Sequence, residues 1–402
     1  MTANNNIKMA EDTRHIITDD KETIHEKDEP PGHEGAWGDW KWQLRNSIRS
    51  IKELSRIFSF TSEEIERLNK IVVKYPLTIT PYYLSLIDRN NPRDPIRLQS
   101  VPAIDEDSLY FDVQDDPLGE EKDTALPGLV HRYPDRVLLT LTDMCPVYCR
   151  HCTRKREWCR GSWVRTKEDL QNIYAYIAQH KEVRDVILSG GDPFALSTAK
   201  IEDVLRNLRQ IHHVEIIRIG TRCPVVLPQR INDELVSMLK RYRPLWVNTH
   251  FNHPNEITKE SSRACDKILC AGIPVNNQSV LLKGINDDTE TMIKLCQGLL
   301  KIGIRPYYMF QCDPVSGTGH FRTSVEKGLE IIKGMRGHTS GLAVPTFIVD
   351  GLNGQGKVPL QPNYIESVEK DYFVFRGYKG DLFKYYNPEE ISGDRNSLQF
   401  KG

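Results

Sequence analysis

From Arg136 onward the chain alternates between two patterns. Short apolar runs, RVLLTLTDMC, DVILSGGDP, VEIIRIGTRCP, LWVNTHFNHP, IPVNNQSVLLKG and IRPYYMFQCDP, are separated by stretches of helical spacing such as KEDLQNIYAYIAQH, KIEDVLRNLRQIHH and DDTETMIKLCQGLLKI. Strand then helix, at least six times, implies parallel strands, because a tight hairpin cannot join parallel neighbours. No G-x-G-x-x-G opens a first unit, which disfavours a dinucleotide-binding sheet. A complete or partial β/α barrel fits better, and barrel chemistry gathers where strands end. The residues at those ends are Cys145, Ser189 to Asp192, Arg222, His250, Gln278 and Asp313. A further run, AVPTFIVD, ends at Asp350 and leads into GLNGQGK.

The flanks read differently. Trp37 to Tyr75 is expected to be helical, from the spacing in WQLRNSIRSIKEL and from Thr61-Ser-Glu-Glu as a helix start. Residues 76–135 are Pro-rich and are expected to wrap the barrel irregularly. The organisation expected is an acidic leader (1–35), a helical and wrapping region (36–135), the barrel (136–350), and a loop with a β-rich tail (351–402). The leader carries nine Asp/Glu against four Lys/Arg and no apolar core, so a disordered, solvated segment and a cytoplasmic chain are expected. The formal net charge of −1 gives no reason to expect nucleic acid as a partner. No run reaches the ~18 apolar residues of a membrane helix.

Nine cysteines, an odd number, in a reducing compartment do not make a disulfide framework. Cys145, Cys149 and Cys152 have the spacing C-x3-C-x2-C directly after the first barrel strand. Three thiolates on one short loop can hold three irons of a four-iron cluster and leave the fourth open to a ligand. Zinc would need a fourth ligand, Cys159 or His151. Spacing alone leaves both open. Cys159, Cys223, Cys265, Cys270, Cys296 and Cys312 read as incidental.

C-x3-C-x2-C after the first strand, then SGGDP at the end of the second, resembles the radical S-adenosylmethionine (SAM) enzymes. HRYPDRVLLTLTDMCPVYCRHCTRKR, NTHFNHP, NNQSVLLKGIND, RPYYMFQCD, GHFRT, GHTSG, VPTFIVD and PNY narrow this: residues 75 to 380 resemble the lysine 2,3-aminomutase family. The resemblance implies a partial (β/α)6 radical SAM barrel with an N-terminal helical region and a C-terminal β-rich extension. It implies a 4Fe-4S cluster on Cys145, Cys149 and Cys152, with SAM contacted by Gly190, Gly191, Asp192, His250 and Gln278. It implies pyridoxal 5'-phosphate (PLP) on Lys357, cradled by Arg132, Tyr133 and Arg136. Arg154 would pair with the substrate carboxylate, and Asp313 with Asp350 would clamp the distal amine of a basic amino acid. The reaction implied is a 1,2-amino shift from L-lysine to L-β-lysine. An electron donor such as flavodoxin or ferredoxin, and a homo-oligomer, are expected with it.

Read without the resemblance, the same residues have plainer roles. Lys357 would be a solvated lysine in a loop, HRYPDR a turn, His250 a structural histidine, and each Asp a cap. Arginine is the alternative substrate, and a zinc-stabilised binding protein without catalysis is the alternative from another class. The sequence also departs from the family pattern. The tail YYNPEEISGDRNSLQFKG lacks the Cys-rich zinc arm, the position of the partner ligand is Asp288, and the glycine run before Lys357 is Asn353-Gly-Gln-Gly356. No structural zinc is therefore expected.

Overall fold

The computed structural model describes residues 35–388 apart from 109, 111, 160–162 and the side chain of Cys159. The expected leader, up to residue 34, and the Cys159 side chain lie outside the described residues. Helices α1 (Trp40–Arg45), α2 (Ile51–Leu54), α3 (Ser62–Lys74), α4 (Pro81–Ser85) and α5 (Pro95–Ser100) come first. Thr61 starts α3 as expected, in a capping box: its hydroxyl accepts from Glu64 N while Glu64 accepts from Thr61 N. The span 76–135 is more ordered than its composition suggested. Thr80 and Asp94 cap α4 and α5, each with Pro in its first turn, and a hairpin of β1 (Thr124–Leu126) and β2 (Leu129–Tyr133) follows.

The barrel is then laid down in order: β3 (Arg136–Thr142), α6 (Lys167–Gln179), β4 (Asp185–Gly190), α7 (Thr198–Arg209), β5 (Ile216–Gly220), the short α8 (Cys223–Val226) and α9 (Asp233–Lys240). It continues with β6 (Leu245–Thr249), α10 (Lys259–Cys270), β7 (Val275–Leu281), α11 (Thr289–Lys301), β8 (Arg305–Gln311), α12 (Val325–Met335) and β9 (Thr346–Gly351). β3 to β9 pair in parallel. These are the six expected strands plus TFIVD. The antiparallel hairpin at one edge and β10 (Gly356–Leu360) at the other extend the sheet to ten strands, past 136–350 on both sides. A separate three-stranded sheet, β11 (Ile365–Val368), β12 (Tyr372–Arg376) and β13 (Leu382–Tyr386), forms the β-rich extension.

Along β4, Val186 and Leu188 are fully buried in the core with Ile173 and Ile177 of α6 and Leu205 and Leu208 of α7. The alternate residue Ser189 faces a cavity instead. The helices thus bury one face of the sheet and leave the other to line a chamber.

The loop after β3 is tied down by charge. Glu106, Arg150 and Lys155 are all buried. Arg150 donates to both Glu106 oxygens (2.8 and 2.6 Å) and to the carbonyls of Pro76 and Tyr75. Lys155 Nζ donates to Glu106 (2.7 Å), Arg150 O (3.0 Å) and Gly317 O (2.8 Å). Burial alone would raise the Glu106 carboxyl, but the two cations overcome it and hold it down to about 2. One carboxylate therefore joins the N-terminal layer, the Cys145–Cys152 loop and the loop after β8. Glu106→Ala leaves two buried cations unpaired and should cost about 3–5 kcal/mol, seen as a lower urea midpoint at constant slope. A loss below about 1 kcal/mol would mean that water replaces the carboxylate.

Candidate active site

A cavity of ≈ 570 Å³ opens at the C-terminal ends of the early barrel strands, and Cys145, Cys149 and Cys152 all line it. Their loop is stitched to the wrapping region: Tyr148 N donates to Thr78 O (3.0 Å) and Arg150 N to Gln99 O (2.8 Å). Burial raises the Cys145 thiol and pushes Cys152 up to about 11. All three cysteines are free thiols. Among the described residues, no three His, Cys, Asp or Glu side chains converge on a point that could hold a metal ion. Three thiols of one loop lining one chamber suit a cluster, in which each thiolate takes its own iron.

Gly190 and Gly191 follow β4 with a specific steric reason. Gly190 has φ +117, and a Cβ there would overlap Thr142 O; on Gly191 it would overlap the backbone of Asp143 and Met144. Both glycines let the end of β4 press against the chain leading to Cys145, and Gly191 N donates to Thr142 O. Asp192 lines the cavity, but its carboxylate is already engaged by Thr221 Oγ1 (2.6 Å), Arg222 N (2.8 Å) and Phe194 N (2.9 Å). It braces β4 against β5.

His250 follows β6 and lines the cavity; Gln278 does not. Gln278 was expected at a strand end but lies in the middle of β7, and it acts through its backbone: its carbonyl bonds His250 Nδ1 at 2.8 Å. A carbonyl only accepts, so Nδ1 carries the proton and Nε2 is left as an acceptor. Burial and Arg222 push His250 down to about 4, so the ring is neutral at pH 7. Arg222 was visible at a strand end but had no assigned partner. Its guanidinium reaches Cys149 Sγ (2.7 Å), Glu256 (2.6 Å), Gln99 (2.7 Å), Tyr83 OH (3.1 Å) and His250 O (3.0 Å).

Arg154 lines the same cavity. Its Nε and Nη2 take the carboxylate of Glu120 (3.0–3.1 and 2.6 Å), and Nη1 reaches Ser189 Oγ (3.1 Å). Glu120 gave no signal in the sequence. The remaining candidates cluster beyond the walls of this cavity. Lys357 was expected in a loop, but it is the second residue of β10, in register with Asp350 of β9. Asn353, Gly354 and Gly356 adopt φ of 53, 83 and 86, a tight left-handed turn. Lys357 Nζ bonds Asp350 at 2.7 Å and lies 4.4 Å from the Phe310 ring centroid, while Lys357 N donates to Tyr133 OH. Arg136 stacks on Tyr133 at 3.9 Å and pairs with Asp135. Arg132 pairs with Asp123 (2.6 Å) and donates to Leu118 O.

Asp313, just past β8, is pushed up to about 7 by burial and by Asp350, with Lys357 pulling the other way. An acid whose pKa rises on folding costs stability when it ionises. The cost is absent below the unfolded value near 4 and grows as pH rises toward 7. Asp313→Asn should therefore raise the melting temperature at pH 8 and leave it unchanged near pH 4, read by thermal scans. Equal shifts at both pH values would place the ionisation elsewhere.

The family model described as radical SAM superfamily matches residues 139–296, and the one described as lysine-2,3-aminomutase matches residues 332–401. L-lysine 2,3-aminomutase of Acetoanaerobium sticklandii is 53% identical over 357 residues, 89% of this chain and 86% of that protein. The Clostridium subterminale protein of the same name is 52% identical over 88% and 85%. Glutamate 2,3-aminomutase of Clostridioides difficile is 46% identical over 88% and 83%. The alternative of a non-catalytic zinc-stabilised protein is thereby set aside. The chain belongs to the lysine 2,3-aminomutase family of the radical SAM superfamily, an aminomutase isomerase that works with a 4Fe-4S cluster and SAM.

Proposed function

We propose that the chain converts L-lysine to L-β-lysine, moving the α-amino group to the neighbouring carbon with PLP carried on Lys357. The observation that carries the substrate assignment is the pair Asp313 and Asp350, two acids at the ends of adjacent strands, one of which already holds a primary ammonium, that of Lys357, at 2.7 Å. A primary ammonium arriving from substrate would give this pair of acids a cation in place of the Lys357 amine, which PLP takes up. A glutamate side chain brings an anion to the same place and is repelled. The glutamate-acting relative is therefore the less fitting guide to the substrate.

When bound, the cluster and SAM supply the hydrogen-abstracting radical and PLP supplies the conjugated system across which nitrogen migrates. Three spaced thiols around one chamber fit such a cluster. Neutral His250, fixed by the Gln278 carbonyl, offers Nε2 as an acceptor toward SAM, with Gly190, Gly191 and Asp192 shaping the wall. Lys357 beside Tyr133, with Arg136 stacked behind, fits the PLP site; Arg132 would hold a phosphate only by sharing its Asp123 partner. Arg154, in the wall between the thiols and Ser189, is suited to the α-carboxylate. The part played by the chain is to position the amino acid at both ends and to keep water and oxygen from the radical. Reduction of the cluster would come from a flavodoxin- or ferredoxin-type donor.

No helix among the described residues is long and apolar enough to cross a membrane. The test is anaerobic turnover of the reconstituted protein with SAM, PLP, dithionite and a mixture of lysine, arginine, ornithine and glutamate, with products identified by mass spectrometry. β-Lysine should dominate. β-Arginine as the main product would move the substrate while keeping the acid pair; β-glutamate would overturn the role of the pair.

A further inference from the structure

The guanidinium of Arg154 is held in a specific way. Glu120 takes the Nε and Nη2 side, and Ser189 takes Nη1. Among the described residues this leaves one N–H on each terminal nitrogen unbonded. Glu120 itself is not free to follow Arg154 about. Its second oxygen accepts from Arg156 Nη2 at 3.0 Å, and its backbone N–H is fixed by the Asp116 carboxylate at 3.1 Å. Glu120 and Arg154 both line the chamber. Arg156 is also paired with Asp116 (3.3 Å), Glu157 (3.5 Å) and Glu121 (3.8 Å), so the donors left for an incoming anion are the unbonded N–H groups of Arg154.

The segment bearing Glu120 also touches the other half of the site. Gly119, at φ +65, packs so closely that a Cβ would come 3.1 Å from Asn353 C, in the turn before Lys357. Asn353 N donates to Pro117 O (2.8 Å), and Arg132 Nη2 donates to Leu118 O (2.6 Å). One short stretch, Asp116 to Asp123, thus contacts the arginine of the cluster loop, the turn of the lysine and Arg132.

We propose that Glu120 is a positioning residue: it fixes the Arg154 fork, in register with the Lys357 turn, so that the α-carboxylate of the amino acid meets preset donors. The proposal rests on the reading above that Arg154 takes that carboxylate. Glu120 touches no reacting atom and acts through Arg154. A long arginine left without this anchor would sample other partners, and each hydrogen bond to the substrate would then carry its ordering cost.

The test compares wild type, Glu120→Ala and Glu120→Gln as full-length protein loaded with cluster and PLP. Iron content and SAM cleavage without substrate report on folding. The measurement is the ratio of kcat/KM for the amino acid to that for its α-carboxamide, with KM and kcat read separately. In Glu120→Ala, KM for the amino acid should rise about 10- to 100-fold, the range for losing a charge-assisted bond. The acid-to-amide ratio should fall by a similar factor while kcat changes little. Glu120→Gln keeps one acceptor and should fall between the two. A KM that is unchanged or lower in Glu120→Ala overturns the proposal, the lower value marking Glu120 as a competing anion. An unchanged acid-to-amide ratio with lower kcat also overturns it, as a structural effect. The ratio is read on whichever amino acid the wild type converts. Failure of lysine as substrate is therefore seen in the wild type alone, apart from the outcome for Glu120.

Discussion

The buried carboxylate of Glu106 is the constraint on which the active end of the molecule depends. Without it two cations would be buried with no counter-charge, and each cation also satisfies backbone carbonyls that would otherwise be orphaned. Those carbonyls belong to three segments distant in sequence: Tyr75–Pro76 before α4, Arg150 in the cysteine loop, and Gly317 after β8. A loop with three cysteines and no regular structure would otherwise be free to move. Tied at Arg150 and Lys155, it presents its thiols at fixed places around the chamber.

The same device recurs across the site. Arg222 meets Glu256, Arg154 meets Glu120, and Lys357 meets Asp350, each pair joining separate elements. Charges of this kind add little net stability once desolvation is counted, but they allow few alternative arrangements. A radical reaction needs that property more than it needs stability. In the proposed reaction the substrate is held at both ends, by a cation near the cysteines and by anions near β8 and β9, while solvent is kept out. The barrel supplies this by placing the two ends of the site on different strands.

Much of this could be read in the sequence, and the misses have physical causes. The six strands and their helices were legible because period-2 and period-3.6 patterns extend over enough residues to be distinguished. Helices α4 and α5 were not, since five or six residues give no period; only their caps and prolines signal them. Gln278 looked like a strand end because the polar residues Asn276 to Ser279 interrupt the apolar run between Val275 and Val280. The strand continues because Asn277 and Ser279 bond the backbone of Phe251 (2.7 and 2.9 Å), so polarity there serves the interior. The sequence did not show that Gly190 and Gly191, expected to contact SAM, also let the end of β4 press against the chain before Cys145. Glu120 sits in DDPLGEEKD, where no residue stands out from its neighbours; only the fold brings Arg154 and Arg156 to it.

The central claim is that the three cysteines of this loop hold a four-iron cluster with one iron left open to SAM. The most direct measurement is low-temperature electron paramagnetic resonance of the anaerobically reconstituted, dithionite-reduced protein, recorded with and without SAM. The account predicts an S = 1/2 four-iron signal that changes shape when SAM is added, and that disappears in Cys149→Ala. A signal indifferent to SAM, or a protein that retains zinc and no iron, would contradict it.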